Sequence, residues 1–235
     1  MIKFSKQILD KATQLNELQQ YVLMCSSGVD SIAGVHYMLS KVNKRDRYRY
    51  KVFHLNHKLR PQNDKMAESF CGFMNTELHD FSKTVITRNG KNEMMPNTEA
   101  DLRYFRLTAL MTYIHRNVIV SFHHLNDCVE SYLLNCIRGH DSYQPIPFWT
   151  EWNQDTSNVS CHPFLFTKKQ DFIDYCVKHD LMKYVVEDET NTVSKGSRRN
   201  MIRNEIIPIL QRDKVGLETI VAKKMQKRLM VDLLK

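Results

Sequence analysis

YVLMCSSGVDS, residues 21–31, is an apolar run rich in strand formers that empties into a short Ser/Gly loop, followed by residues with helical apolar spacing. A strand, a tight loop and a helix start in that order form a phosphate cradle. The backbone N–H groups of Ser26, Ser27, Gly28 and Val29 converge on an anion at the positive end of the helix dipole, and the hydroxyls of Ser26 and Ser31 add donors. The loop is neither of the two commonest nucleotide turns, since the chain has no G-x-x-x-x-G-K-[ST] and no G-x-G-x-x-G.

Working outward, similar apolar runs recur at 51–55, 84–87 and 118–122, each followed by a longer stretch of helical periodicity. Alternation of this kind predicts an α/β fold, a doubly wound parallel sheet. Helices are expected over 62–78, 98–115, 168–179, 198–211 and 217–234. The stretch 139–161, with two prolines and both tryptophans, reads as a long surface loop.

At 235 residues the chain has room for one α/β domain with a full core plus a short appendage. The net charge of +8 and the basic runs at 41–50 and 195–203 favour a polyanionic partner, nucleic acid above all. Six cysteines stand singly without a C-x-x-C, and no segment reads as a signal peptide or membrane span. These features point to a reduced, cytoplasmic protein with no membrane partner.

Polar clusters follow three of the runs. His54-Leu55-Asn56-His57-Lys58-Leu59-Arg60 begins where open α/β sheets place ligands, at the carboxyl end of a strand. Glu99, Arg103 and Arg106 share one face of the expected helix at 98–115. His123-His124-Leu125-Asn126-Asp127-Cys128-Val129-Glu130-Ser131 follows the fourth run, and a helix starting near Leu125 puts Asp127, Glu130 and Ser131 on one face. Two carboxylates there suit Mg²⁺ or a substrate ammonium. A zinc site through the histidines and Cys128 lacks a further ligand.

Taken together, S-S-G-V-D-S, H-L-N-H-K-L-R, E-A-D-L-R-Y-F-R, H-H-L-N-D-C-V-E-S, and D-E-T-N before R-N-M-I-R-N-E-I-I-P-I-L resemble, in order, the motifs of the tRNA(Ile) lysidine synthetase family, which belongs to the pyrophosphate-loop ATPases. The likeness runs from about Tyr21 to Leu210. It implies a nucleotide-binding catalytic domain over 1–213 and a basic carboxyl-terminal helix over 214–235. It also implies a reaction: ATP adenylates the wobble cytidine of a CAU-anticodon tRNA(Ile), and free L-lysine then displaces AMP to give lysidine.

By the same resemblance, Ser26, Ser27, Gly28, Val29, Asp30, Ser31 and His54 bind ATP. Asp30, Asp127, Glu130 and Arg103 serve catalysis, with Asp30 and Asp127 as Mg²⁺ ligands. Arg60, Arg106, Arg199, Asn200 and Arg203 face tRNA. A homodimer is one option for assembly. Two other readings belong to the same superfamily pattern: a tRNA-modifying enzyme using another nucleophile, in thiolation or amidation, and an inactive tRNA-binding relative. The chain departs from the family pattern at Ser27, where glycine is usual, and at Asn126, where Asp is usual. A positive φ at Ser27 would cost about 1–2 kcal/mol.

Overall fold

The structure is a computed structural model, and it describes residues 1–16, 19–58, 60–87, 108–110, 112–139, 146–152, 157–187 and 198–234. Four parallel strands match the expected runs: β1 (Tyr21–Met24), β2 (Tyr50–Asn56), β3 (Ser82–Thr87) and β4 (Val118–Val120). Two more, β5 (Trp149–Glu151) and β6 (Val159–Cys161), lie inside the stretch expected to be an irregular loop. β6 extends the parallel sheet beside β4, and β5 pairs antiparallel with β6 at the edge. The expectation of a loop is corrected there. Three-residue strands are too short to display a period of two, and Trp-Thr-Glu and Val-Ser-Cys carry little apolar signal.

The sheet order is β3-β2-β1-β4-β6-β5. The chain winds outward from β1 to β3, then returns to β4 on the other side of β1, so the topological switch point lies between β1 and β4. Ligand sites of open α/β sheets form at the carboxyl ends of the strands at that point.

Strand residues alternate between two apolar layers. Leu23, Val52, Val118 and Val120 face the larger one, while Val22, Phe53 and Ile119 face a smaller one closed by Leu110 and Ile114. Five helices bear on the larger layer: α1 (Lys6–Gln14), α2 (Val29–Leu39), α3 (Pro61–Thr76), α4 (Leu125–Ile137) and α5 (Lys169–Lys178). Residues 198–212 form α6, whose middle is a π-helical turn (Ile202–Ile206) before Pro208. The last helix, α7 (Leu217–Leu233), buries Val221, Met225 and Leu229 at i, i+4, i+8 spacing in the same core.

Gly34 sets how closely α2 lies on β4. A Cβ there would stand 2.0 Å from the ring of Phe122, so only glycine lets the helix after the loop reach the end of β4. That close approach brings the amino ends of α2 and α4 side by side.

Candidate functional site

The loop between β1 and α2 has the expected cradle geometry. Gly28 precedes the first turn of α2 and no side chain caps it, so the first-turn N–H groups have no side-chain acceptor. A Cβ on Gly28 would meet only Ser26 Oγ, at 3.5 Å and in ordinary contact. Its φ of −75° makes no demand for glycine either, so the missing side chain keeps the mouth of the loop open.

Ser27 occupies the left-handed region at φ +62°. Its buried hydroxyl donates to the carbonyl of Met66 on α3 at 2.7 Å, and its own carbonyl accepts the Val186 N–H at 2.9 Å. Ser31 turns inward: its hydroxyl donates to the Gly28 carbonyl at 2.9 Å, accepts the Ser26 N–H at 3.1 Å and lies 3.3 Å from Ser26 Oγ. The Ser26 N–H and the Ser31 hydroxyl, expected to face an anion, therefore brace the loop in this structure.

His54, on β2, is buried beside the loop and stacks on Phe70 at 5.1 Å. Its Nδ1 donates to the Cys25 carbonyl at 2.8 Å, and burial, opposed by that bond, lowers its pKa. The ring is thus neutral, with Nε2 unpartnered among the described residues. Arg60 is exposed at the start of α3, its N–H donating to Asn63 Oδ1 at 3.1 Å. Lys58 and Asn56 converge on Asp64 at 2.6 and 2.8 Å.

Across the switch point, α4 begins at Leu125. Asp127, Glu130 and Ser131 share a face, as the spacing predicts, and α6 closes over that face. Arg203 grips Glu130 with two bonds, Nε to Oε1 at 2.6 Å and Nη2 to Oε2 at 2.8 Å. Its Nη2 also lies 3.7 Å from Asp127 Oδ1. Arg199 donates to Ser131 Oγ at 2.9 Å and stands 3.9 Å from Glu130 Oε2. Glu130 is 2 % exposed, and such a fork offsets the cost of taking its carboxyl group out of water.

Burial opposes ionisation of Asp127. The His124 and His123 rings, the His124 N–H and Arg203 outweigh it and hold the carboxyl below its usual range. Asp30, in the first turn of α2, has a buried Oδ1 with no hydrogen-bond partner among the described residues. Asp30, Asp127 and Glu130 thus stand with Arg199, Arg203 and the His124 ring at the switch point.

Beside it, at the ends of β4 and β6, the His123 and His162 Nδ1 atoms lie 3.2 Å apart, with Ser121 Oγ 3.0 and 2.5 Å from them. Burial and then His123 push the His162 pKa down to about 3, so it is neutral. Cys25 and Cys128 are buried next to the site. Burial pushes the Cys25 thiol up to about 11 and raises that of Cys128 as well.

The structure therefore places Ser26, Ser27, Gly28, Val29, Asp30, Ser31 and His54 at the carboxyl ends of β1 and β2, and Asp127, Glu130, Arg199 and Arg203 beyond the end of β4. Asn200 lies on α6. Arg103, Arg106 and residues 188–191 lie outside the described residues. Sequence reasoning missed His124 and His162. Nothing in the residue types separates His124 from its neighbour His123, and only the geometry of the helix start does so.

Comparison with known proteins agrees with the fold. The chain is 30% identical over 216 residues to the tRNA(Ile)-lysidine synthase of Lactiplantibacillus plantarum, covering 88% of this chain and 45% of that protein. It is 25% identical over 213 residues to the protein of the same name from Buchnera aphidicola, covering 87% and 44%. The chain thus spans less than half the length of these curated relatives. Among solved structures, the U34-tRNA thiolase NcsA from Methanococcus maripaludis, described with its [4Fe-4S] cluster, has the same fold. Its TM-score is 0.66 at 10% identity, over 96% of this chain and 77% of that one. Residues 2–210 match the PP-loop domain family, and with that loop set at the β1–β4 switch point, the chain belongs to the PP-loop domain family.

Proposed function

We propose that the protein is an ATP-dependent tRNA-modifying enzyme that adenylates the wobble cytidine of a CAU-anticodon tRNA(Ile) and joins free L-lysine to it, giving lysidine. The observation that carries this reading is the anionic face formed by Asp127 and Glu130, clamped by Arg203 and set directly across the switch point from the phosphate loop. The names of the relatives support the same reading.

The chemistry fits the parts. The C2 oxygen of cytidine attacks the α-phosphorus of ATP and pyrophosphate leaves. Displacement at C2 then becomes easy, because the oxygen departs as part of AMP. Donors in the loop and at the start of α2 stabilise the charge that develops on the phosphates. Asp30 Oδ1 and Asp127 are suited to hold Mg²⁺, which when bound would neutralise charge on the departing pyrophosphate.

The lysine ε-ammonium would sit against Asp127, whose carboxylate is less tightly engaged than that of Glu130. It must lose a proton before it attacks C2, and a neighbouring carboxylate or imidazole is placed to take it. Arg60, Arg106, Arg199, Asn200 and Arg203 would contribute to the tRNA side, with residues 1–213 as the catalytic unit. A thiolation reading would need a reactive thiolate, and the cysteines beside the site have the opposite character.

Mass analysis of CAU-anticodon tRNA after incubation with the protein, ATP, Mg²⁺ and labelled lysine tests the proposal. A labelled cytidine at the wobble position is expected. Pyrophosphate release without label in the tRNA would point to another nucleophile, and neither product would point to a tRNA-binding protein without catalysis.

A further inference from the structure

Asp30 and Asp127 belong to different helices, and His124, which is 3 % exposed, lies against both. The imidazole touches each with a different nitrogen. Nε2 lies 3.5 Å from Asp30 Oδ2. Nδ1 receives the Asp127 N–H at 3.4 Å and lies 3.6 Å from Asp127 Oδ2, while the His124 N–H donates to that oxygen at 3.0 Å. His124 is thus the N-cap of α4, with Asp127 closing the reciprocal capping box.

The cap decides the ring's chemistry. If Nδ1 accepts the Asp127 N–H, the neutral ring carries its proton on Nε2; if the ring is an imidazolium, both nitrogens carry protons. Either form aims an N–H at Asp30 Oδ2. Asp30 is then oriented through one oxygen, and its other, Oδ1, is the buried acceptor without a partner among the described residues. A buried carboxylate oxygen left open at the mouth of a phosphate loop is a place for a cation.

We propose that His124 is a positioning residue: it ties the cap of α4 to Asp30 and so turns Asp30 Oδ1 toward the divalent cation that accompanies the nucleotide. His124 is too buried to touch substrate itself. The inference rests on the proposed nucleotide site and adds to it the device that fixes Asp30 relative to Asp127.

His124→Asn separates capping from positioning, because asparagine is a strong N-cap acceptor but its amide is too short to reach Asp30 as well. Equilibrium ATP binding is measured across a Mg²⁺ titration, together with kcat and KM for tRNA-dependent pyrophosphate release. The H124N protein is expected to keep its thermal transition and its ATP affinity without Mg²⁺. It should require at least tenfold more Mg²⁺, with kcat falling more than KM for tRNA changes. His124→Gln, which reaches farther, should recover part of the Mg²⁺ response.

The decisive comparison is with Asp30→Asn. If His124 acts through Asp30, the double variant needs no more Mg²⁺ than D30N alone. Additive effects, or H124N with the wild-type Mg²⁺ response beside an impaired D30N, would overturn the proposal. Should H124N fail to fold, the same cycle is read with H124Q. If the wild-type protein shows no Mg²⁺-assisted ATP binding, the proposed function falls instead.

Discussion

Asn126 joins the starts of two helices: its Oδ1 accepts the Lys169 N–H of α5 at 3.0 Å, and its Nδ2 donates to Glu218 of α7 at 3.2 Å. Glu218 is held from the other side by Lys168 at 2.7 Å. The amide accepts at one atom and donates at the other, which an ionised carboxylate cannot do. The departure from the family's Asp at this position is therefore matched by a partner that a carboxylate would repel.

That match predicts the effect of restoring the acid. Asn126→Asp should lower stability by about 1–3 kcal/mol, because it removes a hydrogen bond and sets two carboxylates face to face. Glu218→Gln in the same chain should return most of the loss. Denaturant unfolding of both variants checks this, and an Asn126→Asp protein as stable as the wild type would show that the contact with Glu218 contributes nothing.

Ser27 presents two opposing effects of similar size. Its φ of +62° costs about 1–2 kcal/mol for a residue with a side chain, and its hydrogen bond to Met66 returns about 0.5–1.5 kcal/mol. Ser27→Gly should therefore change stability by less than about 1 kcal/mol and leave pyrophosphate formation equal or higher. A fall of tenfold or more in that rate, with stability unchanged, would assign the hydroxyl a part in binding the nucleotide.

The expected strands were legible because buried parallel strands are continuous apolar runs, as in Val118–Val120. β5 and β6, as short as β4, were hidden because Trp-Thr-Glu and Val-Ser-Cys are not continuous apolar runs. The shared face of Asp127, Glu130 and Ser131 followed from helical spacing alone. The arrival of Arg199 and Arg203 on that face did not, since they lie 68 and 73 residues away from their partners and no local period reports such a contact. The resemblance placed these two arginines at the site, but not their pairing with Glu130 and Ser131. The inward turn of Ser31 was equally hidden, because a loop hydroxyl can serve the ligand or the loop and the sequence is the same for both.

Asp127 and Glu130 should differ when neutralised. Asp127→Asn removes charge from a partly open carboxylate, so it should raise the lysine requirement of tRNA modification at least tenfold, and more than it raises the ATP requirement. Glu130→Gln should also raise the lysine requirement, but with a loss of stability, because it leaves the forked Arg203 without its full partner in a buried place. Lysine and ATP titrations with thermal melts distinguish them. Unchanged lysine dependence in both variants would assign the pair to the fold or to a metal alone.

The outer face of α7 carries the test of tRNA binding. Lys223, Lys224 and Lys227 are exposed, with Lys224 lying over the Tyr132 ring at 5.5 Å, and together with the +8 net charge they suit a polyanion. The inner face is a packing element: Val221, Met225 and Leu229 are buried in the main core, each stabilising by about 1.5–3 kcal/mol. Removing the helix would uncover that core and confuse unfolding with lost affinity. Replacing the three lysines with glutamine leaves the core face intact. Each phosphate contact steepens the slope of log K against log salt by somewhat under one unit, so the triple variant should weaken tRNA binding and flatten that slope by roughly two units, with ATP binding unaltered. An unchanged slope would confine α7 to packing and leave the tRNA to other residues, Arg60, Arg199 and Asn200 among them.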